Sequence, residues 1–273
     1  MTAPPSAADA APGPKAPGGS QAVGRALSIL SLVGRAGSEG IGLAQLADQA
    51  AVARPTARRL LLALVSARLV DQDAVSRRYH LGPETYLLGT FAAERHGIVH
   101  HARPSMLRLA AETGDTVLLT VPQDDHALCL ERVDGTFPVR TYALMRGDRK
   151  PAGIGAGAMA ILARLPPAEA SELRARVAHL TPGLEATLIE DQAQARRDGF
   201  ALNRGRIVPG SWGLAVAFLW PDGRPAGALT IAAIENRMQE DRSPQLLVLL
   251  RREVALIETQ LATLGRTSER RRT

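Results

Sequence analysis

The chain has 273 residues, 45% of them hydrophobic, enough for two modest domains, each with its own core. Its formal charge is 33 − 27 = +6 and its pI is near 10.3; this favours an anionic partner, although two lysines against thirty-one arginines also fit an arginine-rich coding bias. Cys129 is the only cysteine, which excludes an internal disulfide and a cysteine-rich zinc site.

In chain order, residues 1–20 are mostly Ala, Pro, Gly and Ser and read as a disordered tail without the apolar core of a signal peptide. No run of about eighteen uncharged apolar residues suggests a membrane span, so a cytoplasmic protein is expected. Val23, Ala26, Leu27, Leu30 and Val33 keep helical spacing and predict a helix over Gln21–Arg35. After Gly37 and Gly40, Leu43–Ala50 predicts a short helix, Ala51–Arg54 a tight turn, and Pro55 the start of a second helix with Leu60 and Leu64 turned inward. Leu69–Gln72 and Arg78–Leu81 predict a hairpin around Asp73–Arg77. Together these make a winged helix-turn-helix over residues 21–82. A further helix, Pro83–Arg95, carries Leu87, Leu88 and Phe91 and needs a partner surface, which a dimer would supply. Gly97 ends it, so the domain boundary falls near residues 96–99.

The second domain, residues 98–265, reads as α+β. Arg103–Thr113 is helical and closed by Gly114. Thr116–Val121, Ala127–Val133 and Val139–Met145 predict three strands. Helices follow at 156–165, 167–178 and 186–198. Gly213–Leu219 and Ala226–Ile234 predict a hairpin around Pro221-Asp222-Gly223. Leu246, Leu250, Val254, Ile257, Leu261 and Leu264 mark one face of a last helix starting near Pro244. Residues 266–273 read as a basic tail. An antiparallel sheet flanked by helices is the simplest packing.

Arg54, Thr56, Arg58 and Arg59 cluster at the start of the second helix of the helix-turn-helix. That end meets base edges in the major groove, and Arg can pair bidentately with guanine. The competing reading is a plain solvated helix face, but the opposite face supplies the docking apolar residues. Arg77 and Arg78 in the wing suit phosphate or the minor groove; the alternative is a charged hairpin tip. Gly153-Ile154-Gly155-Ala156-Gly157 has GxGxG spacing and no βαβ unit around it, so it is a poor nucleotide fingerprint. It fits either a helix N-terminus whose free N–H groups hold a ligand or close helix–sheet packing. His96, His100 and His101 lack a completing ligand for a metal. Gly210-Ser211-Trp212-Gly213 falls one residue short of a nucleophile elbow, and Cys129 reads as core. No catalytic residue, metal or cofactor is expected. An enzyme merely tethered to nucleic acid is the rival reading, and no nucleophile or paired carboxylate supports it.

Four blocks then carry a resemblance: Arg54-Pro55-Thr56-Ala57-Arg58-Arg59-Leu60-Leu61; Arg78-Tyr79-His80-Leu81-Gly82-Pro83; Leu109-Ala110-Ala111-Glu112-Thr113-Gly114-Asp115-Thr116-Val117; and Gly199-Phe200-Ala201 with Pro209-Gly210 and Asp222-Gly223-Arg224. In this order, over residues 21–265, the chain resembles the IclR family of bacterial transcription regulators. The resemblance implies a winged helix, a linker helix and a GAF-like effector-binding domain. It implies a homodimer or homotetramer on a palindromic operator in double-stranded DNA, acting as a repressor of a catabolic operon. It places the small-molecule effector at Gly155, Ala156, Asn203, Gly213, Thr230 and Ala232. The family often has Asp where Asn203 stands, Cys where Gly213 stands, and two serines where Thr230 and Ala232 stand. Fewer hydrogen-bonding groups and smaller side chains point to a larger effector, an aromatic or hydroxylated aromatic acid.

Overall fold

The computed structural model of the chain describes residues 21–238 and 241–270. The tail expected at residues 1–20 and the last three residues of the expected basic tail lie outside that range. The chain forms two units, divided between His96 and Gly97.

In the first unit, α1 (Gln21–Arg35), α2 (Leu43–Gln49) and α3 (Arg54–Ser66) enclose a core of Ile29, Val33, Leu46, Leu61 and Leu64. The buried face of α1 differs from the expected one. Ile29 and Val33 are buried, while Val23 and Leu27 are exposed. Val23 lies about 120° and Leu27 about 160° round the helix from Ile29, on the side away from the core. β1 (Val70–Gln72) pairs antiparallel with β2 (Tyr79–Leu81), and Ile41 bridges to Tyr79, donating to its carbonyl at 3.0 Å and accepting from its N–H at 2.9 Å. Gly40 before it has φ +62° and the His80 ring stands where a Cβ would be, so only glycine fits there. α4 (Pro83–His96) completes the unit.

The second unit is built on six antiparallel strands in the order β5-β4-β3-β8-β7-β6. They are β3 (Thr116–Gln123), β4 (His126–Val133), β5 (Arg149–Pro151), β6 (Ala201–Arg204), β7 (Ser211–Leu219) and β8 (Pro225–Ile234). Alternation sends Val117, Leu119, Leu214, Val216, Phe218, Leu229 and Ile231 to one face. There they meet Met106 and Leu109 of α5 (Ile98–Thr113) and Leu246, Leu250 and Ile257 of α9 (Ser243–Arg270). The opposite face is paved with small residues, Ala201, Ala215 and Ala228. This lets α6 (Ala156–Arg164) lie close enough to be buried from Ala156 to Ala163. α7 (Pro167–Val177) and α8 (Glu185–Asp198) follow it.

A winged helix-turn-helix followed by an antiparallel sheet between helices is the architecture the sequence implies, with three differences. Val139–Met145 is not a strand. Its alternation of apolar residues misleads, because Val139, Tyr142 and Met145 are exposed. A turn closed by Asp148, whose carboxylate accepts from Met145 N–H at 2.8 Å, returns the chain to the sheet. The third strand is instead the short β5. The edge strand β6 is additional. The last helix runs to Arg270, into the stretch read as a tail. Among the described residues no helix is long and apolar enough to cross a membrane, and no group of three or more His, Cys, Asp or Glu could hold a metal.

Candidate DNA interface and effector site

The first turn of α3 exposes Arg54, Arg58 and Arg59, with Thr56 half-buried beside them and Ala57, Leu60 and Leu61 inward. Its N-cap is Ala53, which offers no side-chain oxygen, and no acidic residue lies in the turn. The orphan N–H groups and the positive end of the helix dipole are therefore unopposed, as a phosphate requires. Among the described residues, none of the three arginines is in an ion pair.

The wing tip is folded by Asp73. Its carboxylate accepts from Val75 N–H at 3.1 Å, Ser76 N–H at 2.6 Å and the Ser76 hydroxyl at 2.7 Å. These donors, Ser76 N–H first, hold its carboxyl below the usual range. Arg77 stands at the tip with φ +59°, and Arg78 turns back to donate from Nε to Gly40 O at 3.3 Å. Both stay exposed, but Arg77 is the freer to meet DNA.

In the second unit, the expected effector residues converge on the small-residue face of the sheet. Asn203, Gly213 and Ala232 form one row across β6, β7 and β8, and Thr230 lies in the adjacent row. Gly155 caps α6 with φ +96°, and the helix enters directly above these rows. A Cβ built at Gly157 would stand 2.7 Å from Thr120 Oγ1 and 3.0 Å from Thr230 Oγ1, so glycine is required for this approach. The space expected at Gly213 is closed: a Cβ there would meet Ala156 Cβ and Thr230 Cγ2, each at 3.3 Å. Asn203 Oδ1 accepts from Arg206 N–H at 3.1 Å, which folds the following turn. Ala232 packs with Leu118, Cys129 and Leu144.

What remains open is a void of about 10 Å³ between the Gly155 turn and the sheet, lined by Thr120, Cys129, Leu144, Gly155 and Gly157 among others. Thr230 Oγ1 is buried and has no hydrogen-bond partner. An unmade hydrogen bond of that kind costs about 1–3 kcal/mol. Burial first, then the charge of Asp148, pushes the Cys129 thiol up to about 12, so it is inert as a nucleophile. Sequence reasoning missed Thr120, Leu144 and Arg132 on this face. The first two follow from strand pairing and from an irregular loop, neither of which is local in sequence.

A second cavity lies on the other side of the sheet, about 790 Å³ between β6, β7 and the start of α9, lined by Leu202, Trp212, Leu214 and Leu247 with Arg204 stacked on Trp212. It holds none of the expected effector residues.

Comparison with known proteins gives two family matches. Residues 22–74 match the model of the IclR helix-turn-helix domain, and residues 90–258 match that of the bacterial transcriptional regulator IclR C-terminal domain. The chain is 30% identical over 232 residues to the HTH-type transcriptional regulator BhcR of Paracoccus denitrificans, covering 82% of this chain and 81% of that protein. It is 26% identical over 229 residues to the transcriptional repressor IclR of Escherichia coli, covering 81% and 83% of the two chains. Among solved structures, an IclR homologue from Microbacterium hydrocarbonoxydans complexed with 4-hydroxybenzoate matches with a TM-score of 0.73 at 21% identity, covering 89% of this chain and 100% of that one. At that identity the likeness is one of fold.

Proposed function

Because the chain belongs to the IclR family of bacterial transcriptional regulators, with a helix-turn-helix and an effector-binding domain, we propose that it is a repressor released by an aromatic acid. The observation that carries the effector reading is the orphan Thr230 hydroxyl beside the α6 N-terminus. Hydroxyl and first-turn N–H groups together offer a polar pole, and the surrounding Ala156, Leu118, Leu144 and Ala232 offer an apolar wall. An aromatic ring with polar ends suits that pairing better than a two- or three-carbon oxo acid, which needs a donor for every oxygen taken from water. The relative bound to 4-hydroxybenzoate supports the same class. The void is small, so the ligand enters by displacing Leu144.

Thermal-shift titration with 4-hydroxybenzoate, benzoate, pyruvate and glyoxylate tests this. Stabilisation by an aromatic acid is expected; response to the oxo acids alone would reverse it. Thr230→Val sharpens the test. It removes the unpaired hydroxyl at nearly constant volume, so the free protein should be as stable as wild type or more so. Ligand affinity should fall about tenfold, the worth of one hydrogen bond of roughly 1.4 kcal/mol. A variant that loses stability and keeps affinity would remove Thr230 from the site.

DNA binding is proposed to need two copies. α4 exposes Leu87, Leu88 and Phe91, the last 61% accessible, and α1 adds Val23 and Leu27. Such stripes are costly to leave wet, and a two-fold pair would present two α3 helices to two half-sites of a palindrome. Effector binding can then alter DNA affinity only through different affinities for two arrangements of the assembly. Phe91→Asp should lower the mass measured by light scattering at micromolar concentration and weaken operator binding with it. An unchanged mass would remove α4 from the interface.

A further inference from the structure

We propose that Arg132 is the carboxylate anchor of the effector, the second pole of the site whose first pole is Thr230 and the α6 N-terminus; this rests on the effector reading above. The residue is placed by a β-bulge. β3 and β4 pair Thr120 with Cys129 and Leu119 with Glu131, so Leu130 is one residue too many. Simple alternation from Cys129 would send Glu131 to the small-residue face and Arg132 away from it. The bulge reverses this and pairs Arg132 with Leu118, and bulges are a recurrent means of re-aiming a side chain at a site.

The turned-in side chain is 7% exposed. Nη1 donates to Leu144 O at 2.9 Å, and the guanidinium lies 4.9 Å from the centre of the Tyr142 ring. Asp134 Oδ1 approaches Nη2 to 2.6 Å, yet it is off the N–H direction: neither Nε nor Nη2 has an aligned hydrogen-bond acceptor. Asp134 is shared, accepting from the Thr116 hydroxyl at 3.1 Å. Nε has no acceptor and Nη2 meets Asp134 without an aligned bond, so a ligand carboxylate would take this edge bidentately by displacing Asp134.

Arg132, Leu118 and Thr230 form one row across β4, β3 and β8. At about 4.8 Å per strand, the outer two backbones are roughly 10 Å apart. With the arginine reaching inward, that span fits one para-substituted ring lying over Leu118. Leu144 now covers this place, touching Leu118, Cys129 and Ala232, and its carbonyl is the group held by Arg132. A ligand carboxylate would therefore compete for the guanidinium with the same loop residue whose side chain it must displace.

The test is calorimetric titration of the full-length protein with 4-hydroxybenzoate, its neutral counterpart 4-hydroxybenzamide, pyruvate and glyoxylate. Wild type, Arg132→Gln, Arg132→Lys and Asp134→Asn are compared. Wild type should prefer acid over amide by at least about tenfold, the discrimination expected of one charge-assisted bidentate pair. Arg132→Gln should bind the two alike, Arg132→Lys should keep part of the preference, and Asp134→Asn should enlarge it by removing a competing negative charge. An acid preference unchanged in Arg132→Gln would overturn the anchor and leave the aromatic reading standing. Binding of pyruvate or glyoxylate alone, lost in Arg132→Gln, would keep the anchor and overturn the aromatic reading. No binding of any carboxylate by wild type would overturn both. If Arg132→Gln does not fold, an acid preference in Asp134→Asn no greater than wild type overturns the anchor.

Discussion

Arg108→Ala is expected to destabilise the second unit by about 1–3 kcal/mol, the cost of leaving a buried acceptor short of its partner. The reason lies in Glu253, which α9 buries completely against α5. Arg108 donates to it from Nε at 3.1 and 3.2 Å and from Nη2 at 2.6 Å. Arg252 adds a bond from Nε at 3.0 Å and remains in the variant, which keeps the loss from being larger. Burial on its own raises the carboxyl of Glu253, but the bonds from Arg108, Ser105 and Arg252 outweigh it and hold the group below its ordinary 4.5. A depressed carboxyl contributes stability that is present above pH 4.5 and lost as pH falls through the folded-state value. In Arg108→Ala the burial effect is less opposed and the carboxyl moves up. The gap between wild type and variant should therefore be widest at neutral pH and shrink as pH falls through the variant's higher carboxyl value toward the lower wild-type one. Glu253→Gln should cost less than Arg108→Ala, because it leaves two half-exposed arginines that can turn to water instead of a buried charge. Trp212 and Trp220, the only tryptophans, both lie in this unit, so fluorescence-detected urea unfolding of the whole protein reads it selectively. A gap that stays constant from pH 4 to 7 would contradict the assignment.

The winged helix was the most legible part of the chain because its signals are local. Pro55 in the first turn of α3, the spacing of Leu60 and Leu64, and the Asp73-led turn each act within a few residues. The hairpin of β7 and β8 was legible for the same reason, with Pro221-Asp222-Gly223 between two apolar runs. The face of α1 was harder. Its apolar residues cover more than one side, and which side is buried depends on where α3 packs. Val139–Met145 has the alternation of a strand, but its partner edge on β4 is taken by β5. β6 has only four residues and no apolar run to announce it. The six expected effector residues do come together, yet the room expected at Gly213 is filled by Ala156, a helix–sheet contact that no periodicity encodes. Arg132 was hidden by the extra residue in β4, since alternation assumes an unbroken ladder.

The largest functional effects are expected at α3. Arg54→Ala and Arg59→Ala should each weaken operator binding by about 1–3 kcal/mol if the side chain reads a guanine, with specificity relaxed at that base pair. Among the described residues neither makes an ion pair, so the fold should not change. Arg77→Ala should instead weaken binding on all sequences alike and reduce the salt slope by about 1, the behaviour of a phosphate contact. Arg78→Ala is a less clean probe, because its Nε also ties the wing to Gly40.

The most direct measurement is a nuclease footprint of the wild-type protein and of the Arg54→Ala/Arg59→Ala variant across the DNA flanking the protein's own gene. Wild type should protect two inverted half-sites about one helical turn, or a multiple of it, apart. That protection should be lost in the variant and weakened by 4-hydroxybenzoate. No protected sequence at micromolar concentrations of wild type, or protection identical in the variant, would contradict this.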